Sequence, residues 1–129
     1  LRNFNKAKNF YKNSEKSSIK SQDPIAIVKT MVGELKKSMD KVITSTGVDS
    51  QRQFRAKYFS RSLVIIYTLQ TTLDFEKEEN LAAKLFQLYE FCRQQLIKCF
   101  REQVVEGVKK AMNALEEIFV INNMRNNER

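Results

Sequence analysis

The sequence predicts an all-α chain, an antiparallel up-down four-helix bundle with an N-terminal leader segment. Three observations predict it. Only three Gly and one Pro occur in 129 residues, while Leu, Lys, Glu, Gln and Ala, which lose least on entering a helix, are plentiful. Apolar residues recur at alternating steps of three and four through four stretches of about 20 residues, each about 30 Å long as a helix. The links between the stretches are short, which makes sequential helices antiparallel neighbours. The length suits one domain. Residues 1–22 read as a flexible basic leader with at most a short helix near Asn3 to Tyr11, 23–121 as the bundle and 122–129 as a frayed polar tail.

The first helix starts at Asp23, a residue whose side-chain oxygen can accept orphan amide hydrogens, and Pro24, which loses no bond at the first helical position. Ile25, Val28, Val32, Leu35, Met39 and Val42 then mark one face, widened by Met31 and Ile43. Thr44 to Gly47 end it, Gly47 being suited to a left-handed cap. Asp49 or Ser50 is the expected cap of a second helix that runs to about Leu73, with Phe54, Tyr58, Phe59, Leu63, Ile65, Ile66 and Leu69 as its apolar residues and Ser62 as a small contact. Val64, Ile65 and Ile66 would also suit a strand, but the helical pattern persists for about 20 residues, against the usual 5 to 6 of a strand.

Asp74 to Glu79 is an acidic connection. The third helix carries Leu81, Leu85, Leu88, Cys92 and Leu96 on one face, flanked by Phe86, Tyr89, Phe91, Ile97 and Phe100. A phase shift near Arg101 to Gln103 predicts a tight turn with no Gly or Pro in it, and Val104, Val108, Ala111, Leu115 and Ile118 form the stripe of the fourth helix.

Several chemistries are weakened by composition. The chain has no His, the commonest general base and metal ligand near neutral pH. Cys92 and Cys99, seven apart on one helix, share a face but lie about 10 Å apart along the axis, too far for a disulfide. They read as buried thiols of a reducing compartment, and two cysteines without further ligands make no zinc site. No cofactor is expected, and the acidic cluster Asp74, Glu76, Glu78 and Glu79 reads as a solvated turn, not a catalytic group. No run of about 18 apolar residues exists to span a membrane, and the polar first 22 residues lack the apolar stretch of a signal peptide, so a cytoplasmic location is expected.

The formal net charge of +8 raises nucleic acid as a partner, but its position argues otherwise. Six basic residues against Glu15 give residues 1–22 a net of +5, whereas 23–121 hold 15 basic and 13 acidic residues, a net of +2. Most of the excess therefore belongs to the leader.

The third helix carries more apolar surface than a bundle seam requires, because Leu85, Phe86, Leu88, Tyr89, Phe91 and Cys92 spread well beyond a stripe about 100° wide. The leader, a second copy or a partner helix laid in a groove are the candidates to cover it, and filling of the core is the structural alternative.

The stretch 69–96, LQTTLDFEKEENLAAKLFQLYEFCRQQL, resembles the flagellar secretion chaperone family FliS. Leu69, Leu73, Asp74, Phe75 and Glu76 match its L-x-x-x-L-D-[FY]-E segment, and Leu85, Leu88, Tyr89, Phe91 and Arg93 match its L-x-x-L-Y-x-[FY] helix and following basic residue. Asp23-Pro24 with Ile27, Val28, Met31, Leu35 and Met39 is similar to the family's first-helix start, and Phe10 to Asn13 to its N-terminal motif. Where the family usually has a Gly pair after LDFE, this chain has Glu78 and Glu79, so the connection is expected to be more helical. The resemblance implies a cytoplasmic export chaperone, not an enzyme, that binds the C-terminal helices of flagellin, prevents premature polymerisation and assists secretion, with the flagellar export gate as a further partner. The expected client groove is Ile27, Met31, Leu35, Phe86, Tyr89 and Phe91, and the expected groove-covering leader residues are Phe10 and Tyr11. The alternative is a helical protein-interaction or nucleic-acid-binding module that uses its basic leader.

Overall fold

Asp23 opens the first helix as its sequence suggests. Its Oδ1 accepts the Ile25 N–H at 3.0 Å, Pro24 fills the first helical position, and α1 runs Pro24–Ser45. A computed structural model describes residues 23–127, with side chains described through residue 119. Beyond α1, Gly47 takes φ 83°, a left-handed conformation that glycine adopts without strain.

The second helix begins differently from expectation. Neither Asp49 nor Ser50 caps it; Asp49–Gln51 wind into one 3-10 turn and α2 follows as Arg52–Thr71 with no side-chain cap. Arg55 secures the junction from inside α2, its Nη1 donating to the Ser45 carbonyl at 2.6 Å and the Val48 carbonyl at 3.4 Å. The guanidinium thereby ties α2 to the end of α1, as a second donor to carbonyls that the Val48 and Gln51 N–H groups also reach. Val64, Ile65 and Ile66 are helical, with Ile65 and Ile66 buried.

The connection 72–78 is a turn, not the more helical segment expected from Glu78 and Glu79. Asp74 Oδ1 accepts the Glu76 and Lys77 N–H groups at 3.0 and 3.2 Å, and a side chain that bonds its own downstream backbone competes with helix formation. Helix α3 is Glu79–Glu102 and helix α4 is Glu106–Asn127. The turn between them contains no Gly or Pro, as the phase shift predicts; Gln103 takes φ 60°, ψ 36°. Helix α4 continues past residue 121, where the sequence suggested a frayed tail, since Asn is a weak helix former but not a breaker.

The helices form a ring in which α1 and α3 each pack mainly on α2 and α4. Cross-helix pairs fix the directions. Along α1 and α2, Ser45 meets Arg55, Lys41 meets Tyr58 and Glu34 meets Arg61, one number falling as the other rises. Phe59 with Phe100, and Gln70 with Phe86, give the same antiparallel sense for α2 and α3, and Lys36 with Glu116 links α1 to α4. The ring is an up-down bundle. Its core holds Met31, Leu35, Met39 and Val42 from α1, Ile65, Ile66 and Leu69 from α2, Tyr89, Cys92, Leu96 and Cys99 from α3, and Val108, Ala111 and Leu115 from α4. Buried hydroxyls close onto their own helix: Ser45 donates to the Lys41 carbonyl, Ser62 to that of Tyr58 and Thr68 to that of Val64. Both cysteines are free and buried.

Candidate interaction surface

The residues expected to share a groove do not share a surface. Ile27, Met31, Leu35 and Tyr89 are at most 3% exposed, because their faces of α1 and α3 are the ones that close the bundle. Phe86 and Phe91 are 40% and 36% exposed. Five positions apart, they stand about 140° apart around α3 at 3.6 residues per turn, on opposite flanks. Phe10 and Tyr11 lie outside the described residues.

Phe86 belongs to a different assembly. On the flank where α3 meets α2, the rings of Phe59 and Phe100 stack with centroids 4.2 Å apart and 15° between their planes. Toward the other end of the same two helices, Phe75 and Phe86 meet at 6.4 Å and 60°. Between these two pairs the antiparallel register sets half-buried Leu63 near Ile97, with Tyr67 exposed beside them. The result is a largely apolar strip along the outside of α2 and α3, interrupted on α3 by the Glu90–Arg93 ion pair. Sequence reasoning assigned Phe59, Leu63 and Phe100 to helix faces without seeing that they join, and it omitted Tyr67. The signal was present: Phe59, Leu63 and Tyr67 recur every four residues as a second stripe, offset from the core stripe of Ser62, Ile65, Ile66 and Leu69.

Described residues line two hollows on the flanks of the bundle. One, about 250 Å³, lies between α1 and α4 over Val32, Gly33, Leu115 and Phe119, with Lys29, Lys36 and Glu116 at its edge. The other, about 230 Å³, is lined by Leu73, Leu81, Ala82 and Leu85 beside the 72–78 turn. Both are smaller than the roughly 300–1,000 Å³ usual for small-molecule sites. No cluster of His, Cys, Asp and Glu suited to a metal occurs among the described residues, and no described helix is long and apolar enough to cross a membrane.

Protonation follows burial. Desolvation pushes the Cys92 thiol up to about 12, and holds the Tyr89 phenol well above its ordinary range with a smaller contribution from Cys92. Neither is the depressed, accessible group that a nucleophile requires. At the surface Tyr58 shifts the other way, because Lys41 donates to its hydroxyl at 3.3 Å and Lys41, Lys57 and Arg61 add positive charge.

A family model described as flagellar protein FliS matches residues 7–120 of the chain. No curated protein and no solved structure gives a significant match.

Proposed function

The chain belongs to the FliS family of flagellar export chaperones, and from that premise we propose that it binds the C-terminal helices of flagellin in the cytoplasm, holds them from premature polymerisation and hands them to the flagellar export gate. The observation that carries this reading is the exposed apolar strip on α2 and α3. Exposed rings gathered on one face, here with the Glu90–Arg93 ion pair between them, mark an interaction site more than scattered exposed residues do. An amphipathic client helix laid along it would bury apolar positions spaced three and four apart, while the ordering entropy of the disordered client offsets part of the gain and permits release.

The expected groove residues divide by role in this reading. Phe86 and Phe91 contact clients on the two flanks of α3, while Ile27, Met31, Leu35 and Tyr89 supply the rigid core behind them. Phe10 and Tyr11 of the leader cover part of the client surface when no client is bound. Co-purification with the C-terminal segment of a flagellin from the same source tests the proposal. A 1:1 complex is expected at moderate salt, weakened by Phe86→Asp or Phe91→Asp with the helical fold intact. Leu35→Ala should instead lower folding stability by about 2–5 kcal/mol. A folded chain that forms no such complex would sink the reading.

A further inference from the structure

The face that α1 and α2 share carries cations that the chain itself leaves without acids. Antiparallel register brings Lys41 of α1 to Tyr58 of α2, where its Nζ donates to the Tyr58 hydroxyl at 3.3 Å and stands 4.3 Å from the centre of the ring. The Lys57 Nζ stands 5.4 Å from the same ring centre, so the two ammonium groups lie within about 10 Å of each other. Among the described residues neither lysine has an acidic partner. Glu34, the acid on this face, is already shared by Lys37 at 3.7 Å and Arg61 at 3.3 Å. Asp40 stands about 100° from Lys41 around α1, and Asp49 lies in the 3-10 turn, about two helical turns before Tyr58.

Tyr58 adds a donor to the two charges. Its oxygen accepts from Lys41, while its O–H proton has no acceptor among the described residues. The Lys41 hydrogen bond, with the charges of Lys41, Lys57 and Arg61 behind it, holds the phenol below its ordinary value and so makes it a stronger donor. Beside it the Phe54 ring packs at 4.7 Å and keeps 40% of its surface open. Two ammonium groups and a hydroxyl donor next to an open ring suit a carboxylate carried beside an apolar residue, since charge-assisted hydrogen bonds are the strong ones. A nucleic acid asks instead for a longer track of cations, one for each phosphate, and Glu34 breaks the track here after one helical turn.

We propose that the α1–α2 face is a binding site for an acidic segment of a partner protein. Lys41, Lys57 and Tyr58 take a Glu or Asp carboxylate, and Phe54 covers the apolar residue next to it. The site lies on the flank of α2 that meets α1, whereas the aromatic strip lies on the flank that meets α3. It therefore goes beyond the flagellin reading and does not depend on it.

Nuclear magnetic resonance of the full chain at low salt, titrated with a capped peptide of Glu, Leu and Ala residues, tests the proposal. The same peptide with Gln in place of Glu is the control. The acidic peptide should shift the ring signals of Tyr58 and Phe54, bind about tenfold more tightly than the Gln peptide, and weaken as salt is added. Lys41→Gln with Lys57→Gln should lower its affinity about tenfold, as expected for the loss of two exposed ion pairs. Tyr58→Phe, which keeps the ring and loses the donor, should lower it about threefold. Lys6→Gln with Lys8→Gln removes the same charge from the leader and should change it by no more than about twofold. Circular dichroism checks that every variant remains helical. Ring signals of Tyr58 and Phe54 that stay still at millimolar peptide overturn the proposal, as does a Gln peptide that binds equally well or a leader variant that weakens binding as much as the Lys41 and Lys57 variant. An oligouridylate that binds more tightly than the peptide, through the same two lysines, assigns the face to nucleic acid and also overturns it.

Discussion

Cys92 and Tyr89 sit in the part of the core where proton linkage is most visible. Both are acids whose neutral form the interior favours, so each folded pKa lies above its unfolded value. Stability from this source is fully present below the ordinary thiol value of 9.0 and is lost as pH rises toward about 12. The slope is about 1.4 kcal/mol per pH unit for each group, with Tyr89 joining above its ordinary 10.0. Urea unfolding measured over roughly pH 8 to 11 should show the decline begin near the thiol value. Cys92→Ala, less stable throughout, should delay it until Tyr89 titrates; equal slopes in the two proteins just above the thiol value would refute the assignment. The same residues show what the sequence reveals about a site. Cys92 was legible as a core thiol because it falls on the Leu85–Leu88–Leu96 stripe. Tyr89 and Met31 were not separable into core and groove, because a helical wheel gives the side of a helix but not which sides the neighbouring helices cover.

At the scale of elements, signals that act within a few residues were legible and those that depend on competition were not. Asp23-Pro24 and Gly47 act through their own backbone geometry, and both ends of α1 follow from them. Asp49 lies inside a 3-10 turn and does not cap α2, and Arg55, one helical turn into α2, reaches back to α1, a contact that local pattern does not encode. Two elements carry conformational cost without packing return. Gly33 sits within α1 with no atom of the described residues within 4 Å of where a Cβ would stand, so Gly33→Ala should raise stability by about 1 kcal/mol through helix propensity alone. Gln103 holds a left-handed conformation that costs a residue with a Cβ about 1–2 kcal/mol, and Gln103→Gly should recover part of it. Denaturant midpoints with unchanged slopes are the expected result for both. A destabilising Gly33→Ala would refute the propensity argument.

Across the whole molecule, the distribution of charge decides what kind of partner the chain suits. The residues between 23 and 121 are nearly neutral while the leader is strongly basic, so the apolar faces and the cationic segment make opposite demands on salt. Contact between apolar helix faces depends little on ionic strength, whereas phosphate binding releases counterions and weakens with a slope near 0.7 per contact on single strands. If all six basic residues of the leader neutralised phosphates, a fivefold rise in salt, from roughly 0.1 to 0.5 M, would lower RNA affinity by roughly 10²- to 10³-fold. Over the same range, binding of the flagellin segment to the full chain should change by no more than about threefold, because its energy comes from buried rings. Titrating both ligands against salt by fluorescence anisotropy separates the two behaviours. A flagellin affinity that fell in parallel with the RNA affinity would move recognition from the helix faces to the basic leader, and with it the function from apolar capture to electrostatic attraction.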